Sequence, residues 1–164
     1  MDRNRCNAPR HDLDSAIGHY ESWFQRANHP TRPLAFWVRY TIFRPRGGAP
    51  VGELWGIWFD GEKNQIAVAK ETIGWSFCSF ASGGLDVALG DARLQDGALT
   101  GRVNGSGNTL AWNLKYTGGD RPLLLLRESL YTAPLPRAKA LVGTPGARYS
   151  GSFVVNGVTH DLAD

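Results

Sequence analysis

Residues 19–60 repeat with a period of two, broken twice by turns rich in proline and glycine, and that periodicity confines them to strands. In residues 19–26, Glu21, Trp23 and Gln25 fall on one side and Tyr20, Ser22 and Phe24 on the other. NHPTRP follows, where Pro30 and Pro33 forbid a central strand. The next strand, 34–43, sets Phe36, Val38, Tyr40 and Ile42 against Trp37, Arg39, Thr41 and Phe43. A strand apolar on both faces predicts cover on both sides. RPRGGAP makes the second turn, 51–60 the third strand, and Asp60-Gly61 a hairpin signal.

The same rhythm continues. Residues 65–70, 74–80, 86–89, 92–94, 99–104 and 109–116 are strand-length pieces separated by breaks such as ASGG, QDG, NGSGN and TGGD. PLLLLRESLY reads as a further buried strand, TAPLPRAKALVGTPGAR as an irregular loop, and GSFVVNGVTHDL as a hairpin about Asn156-Gly157. Strands spaced about ten residues apart, with no helical period, predict an all-β fold: an antiparallel barrel or a strongly curved sandwich. Residues 1–17 read as a polar tail with one helical turn at 12–16, and 18–164 as a single β domain.

Composition narrows the function. At 164 residues, with 42% hydrophobic and 20% charged side chains, the chain is long enough for one core and unlike a disordered protein. A formal charge of +3 from scattered Lys and Arg lacks the basic face of a nucleic-acid binder. With no apolar run of membrane-span length and no signal-peptide core, the expectation is a cytoplasmic protein without stable membrane insertion. Cys6 and Cys78 are too few for a disulfide scaffold or zinc site, and His11, His19, His29 and His160 lack ligand spacing, so neither metal nor cofactor is expected. GTPGAR lacks the Gly-Lys-Ser/Thr ending of a phosphate loop, and no Ser, His and acid set suggests a triad.

What remains is a set of charges among aromatics. Residues 18–60 hold four of the six tryptophans, with Glu21, Arg39 and Glu53 interleaved. A first hairpin turning at 28–32 places Glu21 opposite Arg39. A second, turning near Gly47 and Gly48, brings Glu53 within a residue or two of Arg39 on the same face. Burial among indoles favours a neutral carboxyl and a nearby guanidinium favours the charged one, so the pair sets whether Glu21 donates a proton. Glu21, Arg39 and Glu53 are therefore the candidate catalytic residues, and His19, Trp23, Trp37, Trp55, Trp75 and Trp112 the candidate ligand contacts. A salt bridge that only fixes strand register has the same geometry.

Gly-His-Tyr-Glu-Ser-Trp-Phe at 18–24 resembles the opening strand of the superfamily that includes carotenoid 1,2-hydratase, tocopherol cyclase and fungal decalin-forming Diels-Alderases. GDARL with LTGRV, LAWNL, and GSFVVNG are similar to later pieces of those proteins. The resemblance implies a lipocalin-like β domain, the N-terminal half of a two-domain protein or a homodimerising copy. It further implies a hydrophobic isoprenoid or polyketide ligand, converted with acid assistance by hydration, cyclisation or a pericyclic step, which makes the enzyme a lyase or isomerase. Glu21 and Trp23 are the positions it carries over. The alternatives are a non-catalytic carrier of a lipid or other apolar molecule, and a structural half-domain whose apolar face awaits a partner.

Overall fold

The computed structural model describes residues 2–11, 17–119 and 121–162. A short helix, α1 (Arg3–Asn7), precedes a four-stranded antiparallel meander of β1 (His19–Asn28), β2 (Leu34–Arg44), β3 (Val51–Asp60) and β4 (Gln65–Gly74). A 3₁₀ turn, Trp75–Phe77, leads into the second sheet, formed by β5 (Cys78–Phe80), β6 (Asp86–Leu89), β7 (Ala92–Gln95), β8 (Ala98–Gly105) and β9 (Asn108–Thr117). β10 (Leu123–Leu124) and β11 (Leu141–Val142) pair with each other. β12 (Arg148–Val155) and β13 (Val158–Leu162) complete the second sheet, whose order is β13-β12-β9-β8-β7-β6-β5.

The fold is thus all-β and antiparallel, in its sandwich form: the two sheets have separate hydrogen-bond ladders and share one core. Alternation along each strand builds that core. Leu34, Phe36, Val38 and Tyr40 of β2 point inward, as do Leu54 and Trp58 of β3, to meet Leu99, Leu110, Trp112, Leu114 and Phe153 of the second sheet. The Phe153 ring stacks on Phe36 and Trp58, at centroid distances of 5.5 and 5.3 Å. Tyr40 brings a hydroxyl into this apolar layer and satisfies it fully: Trp112 Nε1 donates to it at 3.2 Å, and it faces the carbonyls of Arg93 and Thr100 at 3.1 and 3.2 Å. Side chains from both sheets are buried together in this layer.

The predicted hairpin about Asn156-Gly157 forms, with both residues at positive φ as a two-residue turn requires. Asn156 Oδ1 also accepts from Thr109 N at 2.8 Å, which ties the turn to β9. The strand expected over 74–80 is broken by the 3₁₀ turn at Trp75–Phe77, leaving only Cys78–Phe80 paired. Three further expectations need correction. The outer face of β2 is not covered like the inner one, since Phe43 is exposed and Trp37 and Arg39 are half-buried. Only Leu123 and Leu124 of the run at 122–131 join a ladder, and Leu125 is 59% exposed. There Tyr131 Oη accepts from Leu125 N and Leu126 N, serving backbone groups that a strand partner serves elsewhere.

The third correction concerns the N-terminus, where the predicted helical turn at 12–16 lies outside the described residues. Residues 2–11 are packed rather than a free tail: Cys6 is 3% exposed, and α1 is capped by Asp2, whose Oδ1 accepts from Arg5 N. Cys6 and Cys78 are both free thiols. Among the described residues no helix is long and apolar enough to cross a membrane.

Candidate functional site

The predicted site residues divide between the two faces of the first sheet, and the register of β1 against β2 is the reason. Asn28 pairs with Ala35, so the turn is centred beyond 31 rather than at 30, and Glu21 pairs with Ile42 while Phe24 pairs with Arg39. The offset is an odd number of residues, which moves a side chain to the opposite face. Glu21 and Arg39 therefore do not face each other. The second hairpin is as expected: Glu53 pairs with Thr41, two residues along from Arg39 on the same face.

On the outer face Arg39 lies between two indoles, its guanidinium carbon 4.8 Å from the Trp37 centroid and 4.9 Å from that of Trp55. Arg39 Nη1 donates to Tyr20 Oη at 2.9 Å. Lys70 Nζ sits 4.7 Å from the Trp55 centroid and 2.6 Å from Glu53 Oε1. This is a cation–π ladder in which each cation is already matched to rings or to a carboxylate. Glu53 is occupied by Lys70.

Glu21 and Trp23 lie on the inner face of β1, at the end of the sandwich where β1 begins. The Glu21 side chain is 13% exposed, and His19 Nε2 donates to its Oε2 at 3.1 Å. Residues at i and i+2 share a strand face, so the His-x-Glu spacing brings the two groups together. Arg10 closes over the same carboxylate, its backbone N–H donating to Oε2 at 2.8 Å and its Nη1 3.6 Å from Oε1. The Phe80 ring stacks between Trp23 and Trp75, with centroids 5.8 and 5.5 Å away. The His11 ring bridges the polar and aromatic halves, 4.9 Å from His19 and 5.2 Å from Trp75.

Of the predicted residues, the fold gathers His19, Glu21, Trp23 and Trp75 into one cluster. Trp37, Arg39, Glu53 and Trp55 form the other group behind the sheet. Trp112 joins neither, being a core side chain bonded to Tyr40. Sequence reasoning missed Phe80, Arg10 and His11 as members. Phe80 reads as one more apolar strand residue, and the other two belong to a segment with no apolar period to place it. The Cys78 thiol, beside Phe80, is pushed above its usual range by burial and donates to Gly74 O at 3.4 Å, so it serves as a structural group.

Chemically, the cluster offers a carboxylate and an imidazole in hydrogen-bond contact at the edge of three stacked rings. It is suited to moving a proton beside an apolar surface. Among the described residues no group of three or more His, Cys, Asp or Glu side chains is arranged to hold a metal ion. No family model matches the chain, and neither the curated proteins nor the solved structures include a significant match to it.

Proposed function

We propose that this end of the sandwich binds an apolar, unsaturated small molecule of the isoprenoid or polyketide kind and transfers a proton to it from Glu21. The observation that carries the reading is that the Glu21–His19 pair shares a face of β1 with Trp23, a member of the Trp23–Phe80–Trp75 stack, with the His11 ring between His19 and Trp75. A proton delivered from the Glu21 carboxyl to an alkene carbon forms a C–H bond and leaves a carbocation. The adjoining ring faces stabilise that positive charge. Capture by water gives hydration, and capture by a second double bond gives cyclisation. In either case a proton is lost at the end, and Glu21, now a carboxylate, takes it back, with His19 as its hydrogen-bonded partner. The resemblance of residues 18–24 to the hydratase and cyclase superfamily supports the same assignment, because Glu21 and Trp23 are the positions it carries over.

The test compares Glu21→Gln with Trp23→Ala on a panel of polyenes and prenylated compounds. The proposal expects Glu21→Gln to retain binding and lose turnover by about 10²–10⁴-fold, the usual worth of general acid catalysis. Trp23→Ala is expected to weaken binding. Undiminished turnover by Glu21→Gln would refute the acid role. Binding without turnover in the unmodified protein would identify a carrier.

A second reading rests on the outer face of the first sheet. Tyr20 (57% exposed), Phe24, Phe43, Phe59 and Ile66 (64%) share that face with Trp37 and Trp55, a large apolar surface for one chain. It suits a second β domain or a second copy of the protein, and it is compatible with the ligand site because the two lie on opposite sides of the sheet.

A further inference from the structure

The Glu21 site is closed by the chain's own N-terminus. Residues 2–11 form a strap across the end of the sandwich, and several of their described contacts reach the proposed chemistry: Arg10 N and Nη1 to Glu21, Asn7 O to Trp23 Nε1 at 2.9 Å, and the His11 ring to His19 and Trp75. With Oε2 accepting two N–H groups and Oε1 facing a guanidinium, Glu21 is engaged as an acceptor. A ligand occupying that position would have to displace Arg10.

The way the strap is attached shows that it is separable. Cys6 N donates to Asp2 O and Ala8 N to Asn4 O, so these backbone bonds are internal to the strap. Its described links to the sandwich each involve a side chain: Arg3 Nη2 donates to Gly118 O at 3.1 Å and to Gly119 O, Arg3 Nη1 lies 3.6 Å from Asp96, and Trp23 and Glu21 hold the other end. Cys6 and Asn7 are its buried anchors. A segment fastened by a few side chains and one small buried patch opens as a local unit, without melting the ladders beneath it.

We propose that the strap is a removable plug, which leaves the end of the sandwich to admit an apolar ligand to Glu21 and returns to shut the site. This rests on the reading of Glu21 and its aromatic stack as a ligand site. It adds that access, and the release of Glu21 from Arg10, are controlled by one N-terminal movement.

Two measurements test it on the full chain. The first needs no ligand. Hydrogen exchange of the unmodified protein should show the amides of Cys6, Ala8 and Arg10 exchanging together, at least a hundredfold faster than those of β2. Exchange as slow as the sheet overturns the plug.

The second locks the strap. A Cβ at Gly143 would lie 3.1 Å from Asn7 Cγ, close to the geometry a disulfide spans, and Gly143 has no left-handed φ to obstruct a side chain. Asn7→Cys with Gly143→Cys, in a Cys6→Ala background, is oxidised and mixed with retinol as the probe. Uptake is followed by quenching of tryptophan fluorescence. The oxidised protein should take up retinol at least tenfold more slowly than the same protein after dithiothreitol. Equal rates overturn the gating. If neither form takes up retinol while the strap amides exchange rapidly, the reading of the site as a polyene pocket fails, and the exchange data still judge the opening of the strap.

Discussion

Removing the Tyr40 hydroxyl is the perturbation whose cost follows most directly from the packing. Tyr40 is fully buried, and its oxygen is the acceptor for the indole N–H of Trp112, itself 3% exposed. Tyr40→Phe leaves the ring in place and strands that N–H with no water to replace the lost partner. An unsatisfied buried donor costs about 1–3 kcal/mol, and a value of about 2 kcal/mol corresponds to a fall in Tm of roughly 4–8 °C for a chain of this size. Urea unfolding of Tyr40→Phe, Trp112→Phe and the double variant supplies a cycle. The double variant should lose less than the sum of the singles, because Trp112→Phe removes the donor that Tyr40→Phe leaves unpaired. Additive losses, or a neutral Tyr40→Phe, would refute the network. The same variant bears on function: the hydroxyl sits in the buried layer and the proposed site at the end, so retinol binding by Tyr40→Phe should match that of the unmodified protein.

Arg39→Ala should leave turnover at the Glu21 site unchanged and cost about 1 kcal/mol of stability, the worth of a half-buried cation–π contact, as read by urea unfolding. A large loss of turnover would mean that Arg39 tunes Glu21 after all. His160, whose ring lies tilted against Trp58 at a centroid distance of 4.3 Å, is held below the usual histidine range chiefly by burial, with Lys63 adding to the effect. In the pH window between its folded value and about 6.5 the unfolded chain binds more protons, so stability rises with pH there and levels off above it. His160→Gln should flatten that slope in unfolding midpoints measured from pH 5 to 7.5; an unaltered slope would assign it to another group.

The long strands of the fold were legible because they carry a period of two between turn residues, and β3 and β6 begin and end where the alternation does; the 3₁₀ turn at Trp75–Phe77 and the two-residue β11 inside the stretch read as a loop have no such period. The register of the first hairpin was not. NHPTRP offers two prolines and no Asn-Gly pair to fix its centre, and the turn is set by contacts that composition does not announce. His29 Nδ1 accepts from Thr31 N and Arg32 N at 3.2 and 3.1 Å, and His29 N donates to Leu34 O at 2.8 Å. That shift separated Arg39 from Glu21 while leaving Glu21, His19 and Trp23 together, because members of one strand keep their common face whatever the register. Trp75 and Phe80 reach the site through the 3₁₀ turn after β4, a tertiary approach invisible in a linear pattern. The strap was missed for a related reason: α1 is a five-residue helix held by one buried thiol and a few polar contacts. The leucine run at 122–131 shows the opposite error, since apolar composition alone does not supply a ladder partner.

The central claim is that a single chain carries its own site for an apolar ligand, and native mass spectrometry of the 164-residue protein mixed with a panel of polyenes and prenylated compounds addresses it most directly. The account predicts a ligand-bound species at the mass of one chain, lost or weakened in Trp23→Ala and retained in Arg39→Ala. A dimer that binds none of the panel would contradict it, and would assign the exposed aromatic face of the first sheet, rather than the Glu21 cluster, as the working surface of the protein.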